Sequence, residues 1–299
     1  MGSKIPAYTF ASMQLQDNRL STFKAYFEKG MKTAGIEKME WRPLFKMVCL
    51  EGIGLQAKDI LLADSARLTE SEMLKGIFIV KQLKAHRPIQ YILGECDFMG
   101  LRFKIDERAL IPRPETEELI DYILEERTKP SMVMDLGTGS GCIAISLAHG
   151  LPNSEVHALD LSEEALDLAR LNSGRLEVTI EFHKDDLHHL TQSYPKFDLV
   201  VSNPPYITEK ERVFMEARVL EHEPSLALFV PDERPLSSYE GILDFCDAYL
   251  NEEGVLFLEI NEALGDMTWK LIESRGYRCD RARKDIYGKD RFLRAVKRS

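Results

Sequence analysis

The chain has no long apolar run: no stretch of its 299 residues approaches the ~18 uninterrupted apolar residues of a membrane span, so membrane integration is not expected. Cysteine is scarce and badly placed for cross-linking. Cys49, Cys96, Cys142, Cys246 and Cys279 are odd in number, scattered, and form no C-x-x-C pair. Neither a disulfide framework nor a compact zinc knuckle is expected, and reduced thiols in the cytoplasm are. The seven histidines offer no ligand-like pair at helical spacing, His188 and His189 being merely adjacent, so no metal is expected. With 18 Gly and 13 Pro, collagen-like and low-complexity classes fall away. The opening Met1-Gly-Ser-Lys-Ile-Pro-Ala-Tyr8 lacks the apolar core of a secretory signal, and none is expected.

Basic charge is in deficit, with a net charge of −10, but unevenly. Residues 1–90 hold 14 Lys and Arg against 9 Asp and Glu, a balance of +5; the remainder stands at −15. A division near residue 90 follows. The acidic part is a poor match for a long polyanion, since duplex binding draws on counterion release at phosphates.

Residues 15–87 read as helical. Leu20, Phe23, Phe27 and Met31 recur at helical spacing, as do Leu44, Met47, Val48 and Leu50, with Gly30, Gly35, Pro43, Gly52 and Gly54 as punctuation. A third segment starts at Ala57, and a fourth follows Ser71 until Pro88 stops it. From Ile89 to Ile111 the pattern alternates around Gly94 and Gly100, as in a hairpin. Pro112-Arg-Pro114 followed by Glu115 and Glu117 is a helix start. Thereafter strands and helices alternate. Strands are expected at Met132–Leu136, Val156–Leu159, Val178–Phe182, Phe197–Val201, Gly254–Ile260 and Phe292–Val296. Helices are expected at Cys142–His149, from Ser162 through Leu171, and up to Arg275. This predicts an α/β chain: an N-terminal helical bundle (1–88), a hairpin linker (89–112) and a domain with a mostly parallel, doubly wound sheet (113–299). Ligands of such sheets lie beyond the C-terminal strand ends, where Gly137–Gly141, Asp160, Asp186 and Asn203 fall.

One constellation is Asp135-Leu-Gly137-Thr138-Gly139-Ser140-Gly141, with Asp160 at the tip of the next strand. Glycines allow close backbone approach to a ligand, and the later acid suits two ribose hydroxyls. A dinucleotide site wants G-x-G-x-x-G; here the spacing is G-x-G-x-G, with Cys142 in place of the third glycine of that pattern. The form suits S-adenosylmethionine, a phosphate-free cation, better than a nicotinamide or flavin cofactor. A purely structural tight turn also has this pattern.

A second constellation, Ser202-Asn203-Pro204-Pro205-Tyr206, directly follows a strand. A planar amino group conjugated to a carbonyl or ring is a poor nucleophile because its lone pair is delocalised. Hydrogen bonds from its two N–H groups to the Asn203 side-chain oxygen and a proline carbonyl would fix it and favour a pyramidal nitrogen. The prolines stiffen the turn and remove competing donors, and Tyr206 can stack on the planar group. Transfer then needs chiefly positioning against an electrophilic methyl.

From roughly Arg87 to Arg291 the chain resembles the HemK/PrmC family, protein-(glutamine-N5) methyltransferases of peptide chain release factors. The landmarks are Arg87-Pro-Ile-Gln-Tyr91-Ile-Leu-Gly94, Ile111-Pro-Arg-Pro-Glu-Thr-Glu117, the two constellations above, Glu223-Pro224, Leu258-Glu-Ile260 and Asp285-Ile-Tyr-Gly288-Lys-Asp-Arg291. N-P-P-Y alone is shared with DNA adenine and RNA guanine methyltransferases; the I-P-R-P-E-T and R-P-x-Q-Y segments narrow the resemblance.

The resemblance implies a Rossmann-like class I methyltransferase domain. It implies S-adenosylmethionine as cofactor and S-adenosylhomocysteine as product. The acceptor it implies is the side-chain nitrogen of the glutamine in a release factor's Gly-Gly-Gln loop. Cofactor contacts would come from Asp135, Gly137, Thr138, Gly139, Ser140, Gly141, Asp160, Asp186, Leu187 and Asn203. Asn203, Pro204, Pro205 and Tyr206 would grip the amide, and Leu110 would line the pocket mouth. The bundle would help dock the release factor, whose basic loop suits an acidic domain. A cytoplasmic monomer that binds neither membrane nor nucleic acid directly is expected. Two departures stand out: Leu187 occupies a position often aromatic in the family, and Phe229-Val-Pro-Asp232-Glu-Arg-Pro235-Leu236 replaces a glycine-rich stretch. The competing readings are a nucleic-acid amino methyltransferase, which would grip through the +5 bundle, and a non-catalytic cofactor-binding scaffold.

Overall fold

A computed structural model describes residues 15–62, 64–126 and 129–298; the Met1–Tyr8 reading lies outside them. The chain forms two units, Met1–Leu93 and Gly94–Ser299. Among the described residues, no helix is long and apolar enough to cross a membrane.

The first unit contains α1 (Leu20–Thr33), α2 (Lys38–Met47) running into a π-helical turn (Val48–Ile53), α3 (Ala57–Leu61), α4 (Glu70–Lys84) and α5 (Ile89–Leu93). Leu20, Phe23, Phe27 and Met31 are fully buried and pack with Phe45, Val48, Met73 and Val80. Each such side chain contributes about 1.5–3 kcal/mol on burial. Four expectations need correction. Gly30 does not break a helix: it sits inside α1, where a Cβ would meet Val80 Cγ1 at 2.8 Å, so it lets α1 and α4 approach. Pro43 stays within α2. The cap of α4 is Thr69, not Ser71; Thr69 and Glu72 form a reciprocal capping box. Ile89–Leu93 is also helical rather than part of a hairpin. Ile89 is buried in the helical core with Ile92 and Leu93 against it, so local packing overrides the apparent alternation.

The second unit opens with the hairpin β1 (Glu95–Phe98) and β2 (Leu101–Lys104). It is no free linker. The fully buried Asn172 exchanges hydrogen bonds with Lys104 (2.7 and 3.0 Å) and donates to the Ser140 carbonyl at 2.9 Å. There follow α6 (Pro114–Glu125), β3 (Met132–Leu136), α7 (Cys142–Gly150), β4 (Glu155–Asp160), α8 (Glu163–Arg175), β5 (Glu181–Lys184), β6 (Phe197–Ser202), β7 (Ile207–Thr208), α9 (Ala217–His222), β8 (Phe229–Val230), α10 (Ser237–Tyr249), β9 (Leu250–Glu259), α11 (Gly265–Ser274), β10 (Tyr277–Cys279), β11 (Arg283–Lys284) and β12 (Asp290–Lys297). Pro114 occupies the first turn of α6, and Ser162 caps α8 by accepting from Ala165 N–H.

The main sheet runs β10-β12-β9-β6-β3-β4-β5, with β11 pairing β12. Strands β9, β6, β3, β4 and β5 are parallel; β12 is antiparallel to β9 and β10. Two strands lie elsewhere than the apolar runs suggest. β5 begins at Glu181, because Val178 donates back to the Ser173 carbonyl in the turn after α8, and β9 already starts at Leu250. From β3 the chain winds outward through β4 and β5, then crosses to β6 on the other side of β3. The connection reverses direction between β3 and β6, which opens a crevice at their C-terminal ends.

The five cysteines are buried and unbridged, and burial pushes every thiol up, so none is a poised nucleophile.

Candidate active site

The turn after β3 carries the glycine constellation. Gly137, Gly139 and Gly141 adopt positive φ of 75°, 55° and 82°. At Gly141 the need is double: φ is left-handed, and a Cβ would stand 3.1 Å from Ala169 Cβ and from Ile145 Cδ1. The backbone of Gly137 and Thr138 donates to the Leu159 carbonyl at 2.8 and 3.0 Å, tying the turn to β4.

Asp135, at the end of β3, is fully buried. Its Oδ2 accepts from Thr138 Oγ1 (2.7 Å) and Ala144 N–H (3.2 Å), while Oδ1 has no partner among the described residues. Burial pushes its carboxyl up to about 7, with nearby Asp160 adding repulsion. Asp160, at the tip of β4, accepts Gly139 N–H at 2.8 Å and Ser162 N–H at 2.9 Å, and burial raises its pKa too. Two carboxyl groups in one crevice, one with a bare oxygen, are thus biased toward the neutral acid, and a cation placed beside them would favour their ionised form.

Past β5, Asp186 accepts His188 N–H at 2.9 Å and Leu187 packs against the main core. The buried acid of this turn is its neighbour Asp185, which takes hydrogen bonds from Thr191 and from Tyr194 Oη (2.7 Å); its role is to hold the turn. Ala109, the residue before Leu110, lies with its Cβ 3.8 Å from the position a Cβ would take on Gly139.

The second constellation leaves β6, whose last residue, Ser202, donates from Oγ to the Leu136 carbonyl at 2.6 Å. The two turns are thereby joined at their roots. Asn203 Nδ2 donates to Thr116 Oγ1 at 3.0 Å, Thr116 Oγ1 donates to Glu259 Oε2 at 2.7 Å, and Tyr206 Oη donates to Glu259 Oε1 at 3.1 Å. Glu259 is buried at the end of β9, which raises its pKa; the hydroxyls of Thr116 and Tyr206 and the charge of Arg291 oppose that rise. Asn261 Nδ2 donates to the Tyr206 carbonyl at 3.1 Å and steadies the backbone after the prolines.

The landmark segments now acquire physical roles. Glu223 binds both Ile111 N–H (3.2 Å) and Arg113 Nη2 (2.7 Å), fastening the segment that leads into Thr116. Asp285 folds the closing turn by accepting Tyr287 and Lys289 N–H, and it pairs with Arg291, whose Nη1 donates to the Ile260 carbonyl at 3.2 Å. The divergent loop after Leu228 is braced as well: β8 pairs in parallel with β7, and Asp232 accepts Lys210 N–H at 3.1 Å.

Apart from this edge, the sheet brings together a trio that the sequence kept apart. Ligand atoms of His157, Glu181 and His183 lie within 4.8 Å of one another. His157 Nδ1 and His183 Nε2 are 2.9 Å apart, with the rings parallel to within 1° and their centroids 5.2 Å apart. That centroid spacing is the nitrogen separation plus roughly one ring radius on each side, so the rings meet edge to edge. The two nitrogens face each other along one line, as in a hydrogen bond in which one ring N–H donates to the lone pair of the other. They do not converge on an off-line point, as ligands of a tetrahedral metal would.

Crevice, glycine turn, strand-tip acid and N-P-P-Y turn on a mostly parallel sheet define a class I methyltransferase. The family model described as the methyltransferase small domain matches residues 115–225. Relatives match over most of their length. The release factor glutamine methyltransferase of Bacteroides thetaiotaomicron is 43% identical over 257 residues, 86% of this chain and 92% of that protein. That of Flavobacterium psychrophilum is 42% identical over 245 residues (80% and 86%), and that of Streptococcus pneumoniae 43% over 242 (80% and 86%). The chain belongs to the release factor glutamine methyltransferase family, as the flanking motifs implied.

Proposed function

We propose that this protein methylates the side-chain nitrogen of the glutamine in the Gly-Gly-Gln loop of a peptide chain release factor, with S-adenosylmethionine as donor and S-adenosylhomocysteine as product. The observation that carries the reading is the juxtaposition, at adjacent strand ends, of the buried Asp135 carboxyl, one of whose oxygens has no partner among the described residues, and the Asn203-Pro204-Pro205-Tyr206 turn, rooted beside it through the Ser202 bond to the Leu136 carbonyl. The donor set fits the cofactor. The Asp135 carboxylate would offset a cation, Asp160 keeps lone pairs for ribose hydroxyls, and Asp186, Leu187 and Asn203 would supply further contacts to the cofactor. Bound there, the cofactor supplies an electrophilic methyl on a sulfonium.

The chain's own residues do the rest by positioning. Asn203 Oδ1 and the Pro204 carbonyl accept the two N–H groups of the substrate amide, and Pro205 holds the turn rigid. Tyr206, its hydroxyl anchored on Glu259, offers a fixed ring face to the amide plane. Held so, the amide nitrogen would take the methyl as the sulfonium's S–C bond breaks, and would then lose a proton to water. No strong base is needed, because the nitrogen becomes acidic only after transfer.

Leu110 lines the mouth of the site. The exposed pair Val213 and Phe214, on the 3-10 turn after β7, offers an apolar contact to a protein substrate (79% and 86% exposed). The helical unit serves in docking, and the reaction belongs in the cytoplasm, where release factors work; the enzyme acts as a monomer. The test is transfer of labelled methyl from S-adenosylmethionine to a purified release factor and, separately, to oligonucleotides. Label in the protein alone supports the reading; label in nucleic acid alone overturns it.

A further inference from the structure

Which end of the Asn203 amide faces the substrate decides whether the N-P-P-Y turn works. A substrate –NH2 carries donors, so Asn203 must present Oδ1; turned over, it would set –NH2 against –NH2. A carboxamide flips easily, and its own shape does not choose.

The hydrogen bonds behind it do choose. Thr116 is buried and has a single hydroxyl proton. Ionised Glu259 is acceptor-only, with Oε2 2.7 Å from Thr116 Oγ1 and Oε1 3.1 Å from Tyr206 Oη. Both hydroxyl protons therefore point to Glu259. What Thr116 has left for Asn203, 3.0 Å away, is lone pairs, and only Nδ2–H can meet them. We infer that Thr116 and Glu259 are positioning residues that set the polarity of the Asn203 amide, holding Nδ2 inward and Oδ1 toward the substrate.

Arg291 supports the carboxylate form of Glu259. Its guanidinium is itself held by Asp285 at 3.2 Å and by the Ile260 carbonyl, and its charge favours ionised Glu259. The relay thus runs from a buried ion pair through one carboxylate and one hydroxyl to the amide that grips the substrate. A neutral group at position 259 able to donate would reverse Thr116, and Thr116 would reverse Asn203.

The inference rests on the glutamine-amide reading. Its test is steady-state methylation of a release factor by wild type, T116V, T116S, E259Q and the double variant, with cofactor affinity by calorimetry and melting temperature alongside. Thr116→Val keeps the shape and removes the lone pairs; it is expected to lower kcat about tenfold or more while cofactor affinity stays within about twofold. Thr116→Ser should restore kcat to within about threefold of wild type, which a packing role for the methyl would not allow. Glu259→Gln should be at least as slow as T116V, and the double variant no slower than the slower single, since both act through one path. Wild-type kcat in T116V, T116S as slow as T116V, or additive losses in the double variant would each overturn the inference. Should wild type leave the Gly-Gly-Gln glutamine unmodified, the functional reading itself falls; should wild type transfer and T116V match it, this inference alone falls.

Discussion

Glu223 reaches back 110 residues to Arg113: Oε1 lies 2.7 Å from the guanidinium Nη2, while Oε2 takes the Ile111 N–H at 3.2 Å. One side chain, 1% exposed, thereby fastens the segment that runs from Ala109, beside the glycine turn, to Thr116, behind Asn203.

Removing that fastening should cost both stability and turnover. Arg113→Met leaves the buried carboxylate without its cation and is expected to destabilise by about 3 kcal/mol. Glu223→Gln keeps an acceptor for Ile111 and should cost about 1 kcal/mol. Denaturant melts rank the two variants; wild-type stability in Arg113→Met would mean that the pair carries no net weight.

Asp135 predicts a proton released on cofactor binding. Its carboxyl, raised from the ordinary 3.8 to about 7, holds a proton in much of the ligand-free protein near neutrality, and a bound cation favours the carboxylate. Affinity for S-adenosylmethionine should therefore weaken as pH falls below about 7. Calorimetry in buffers of differing ionisation enthalpy should show up to one proton leaving, and Asp135→Asn should abolish most of it. The stability side has the matching sign. A raised pKa contributes stability below 3.8 that is lost as pH rises through about 7, so ligand-free Asp135→Asn should gain on wild type over that window.

The edge-to-edge histidine pair has the opposite pH signature. Burial, then the neighbouring His157, lowers the pKa of His183. Its contribution to stability is present above the ordinary value of 6.5 and is lost as pH falls through the depressed one. Facing charges are Glu181 and Asp185, with Glu155 on the far nitrogen of His157. Thermal melts between pH 7.5 and 5 should show a steeper fall for wild type than for His183→Leu; parallel curves would contradict this.

If Phe214 contacts the body of a release factor, Phe214→Ser should raise KM for the whole factor about fivefold with kcat unchanged, and leave a Gly-Gly-Gln peptide unaffected. An equal effect on peptide and factor would place Phe214 at the reacting end instead.

What was readable in the sequence was local. The turn Gly137–Gly141 and the run Asn203–Tyr206 announce themselves because short stretches with special backbone demands carry their own residue types, and strand β3 matched its apolar run residue for residue. What was hidden is long in sequence. Thr116 meets Glu259 across 143 residues and Asn203 across 87, and no periodicity encodes such a hydrogen bond. His157 and His183 meet only because β4 and β5 pair in parallel. Ile89–Leu93 misled because its helix is imposed by the core it packs into. Helix α10 is masked by Pro231 and Pro235 shortly before it, which suggest a loop, although Tyr239, Ile242, Phe245 and Cys246 place a fully buried stripe on the main core.

The central claim is tested most directly by mass mapping of a purified release factor after incubation with S-adenosylmethionine and this enzyme. A copy of the factor whose Gly-Gly-Gln glutamine is replaced, and the Asn203→Ala enzyme, run in parallel. One added methyl on the side chain of that glutamine, absent in both controls, is the result the account predicts. A methyl on any other residue, or one that persists in the replaced factor or with Asn203→Ala, would contradict it.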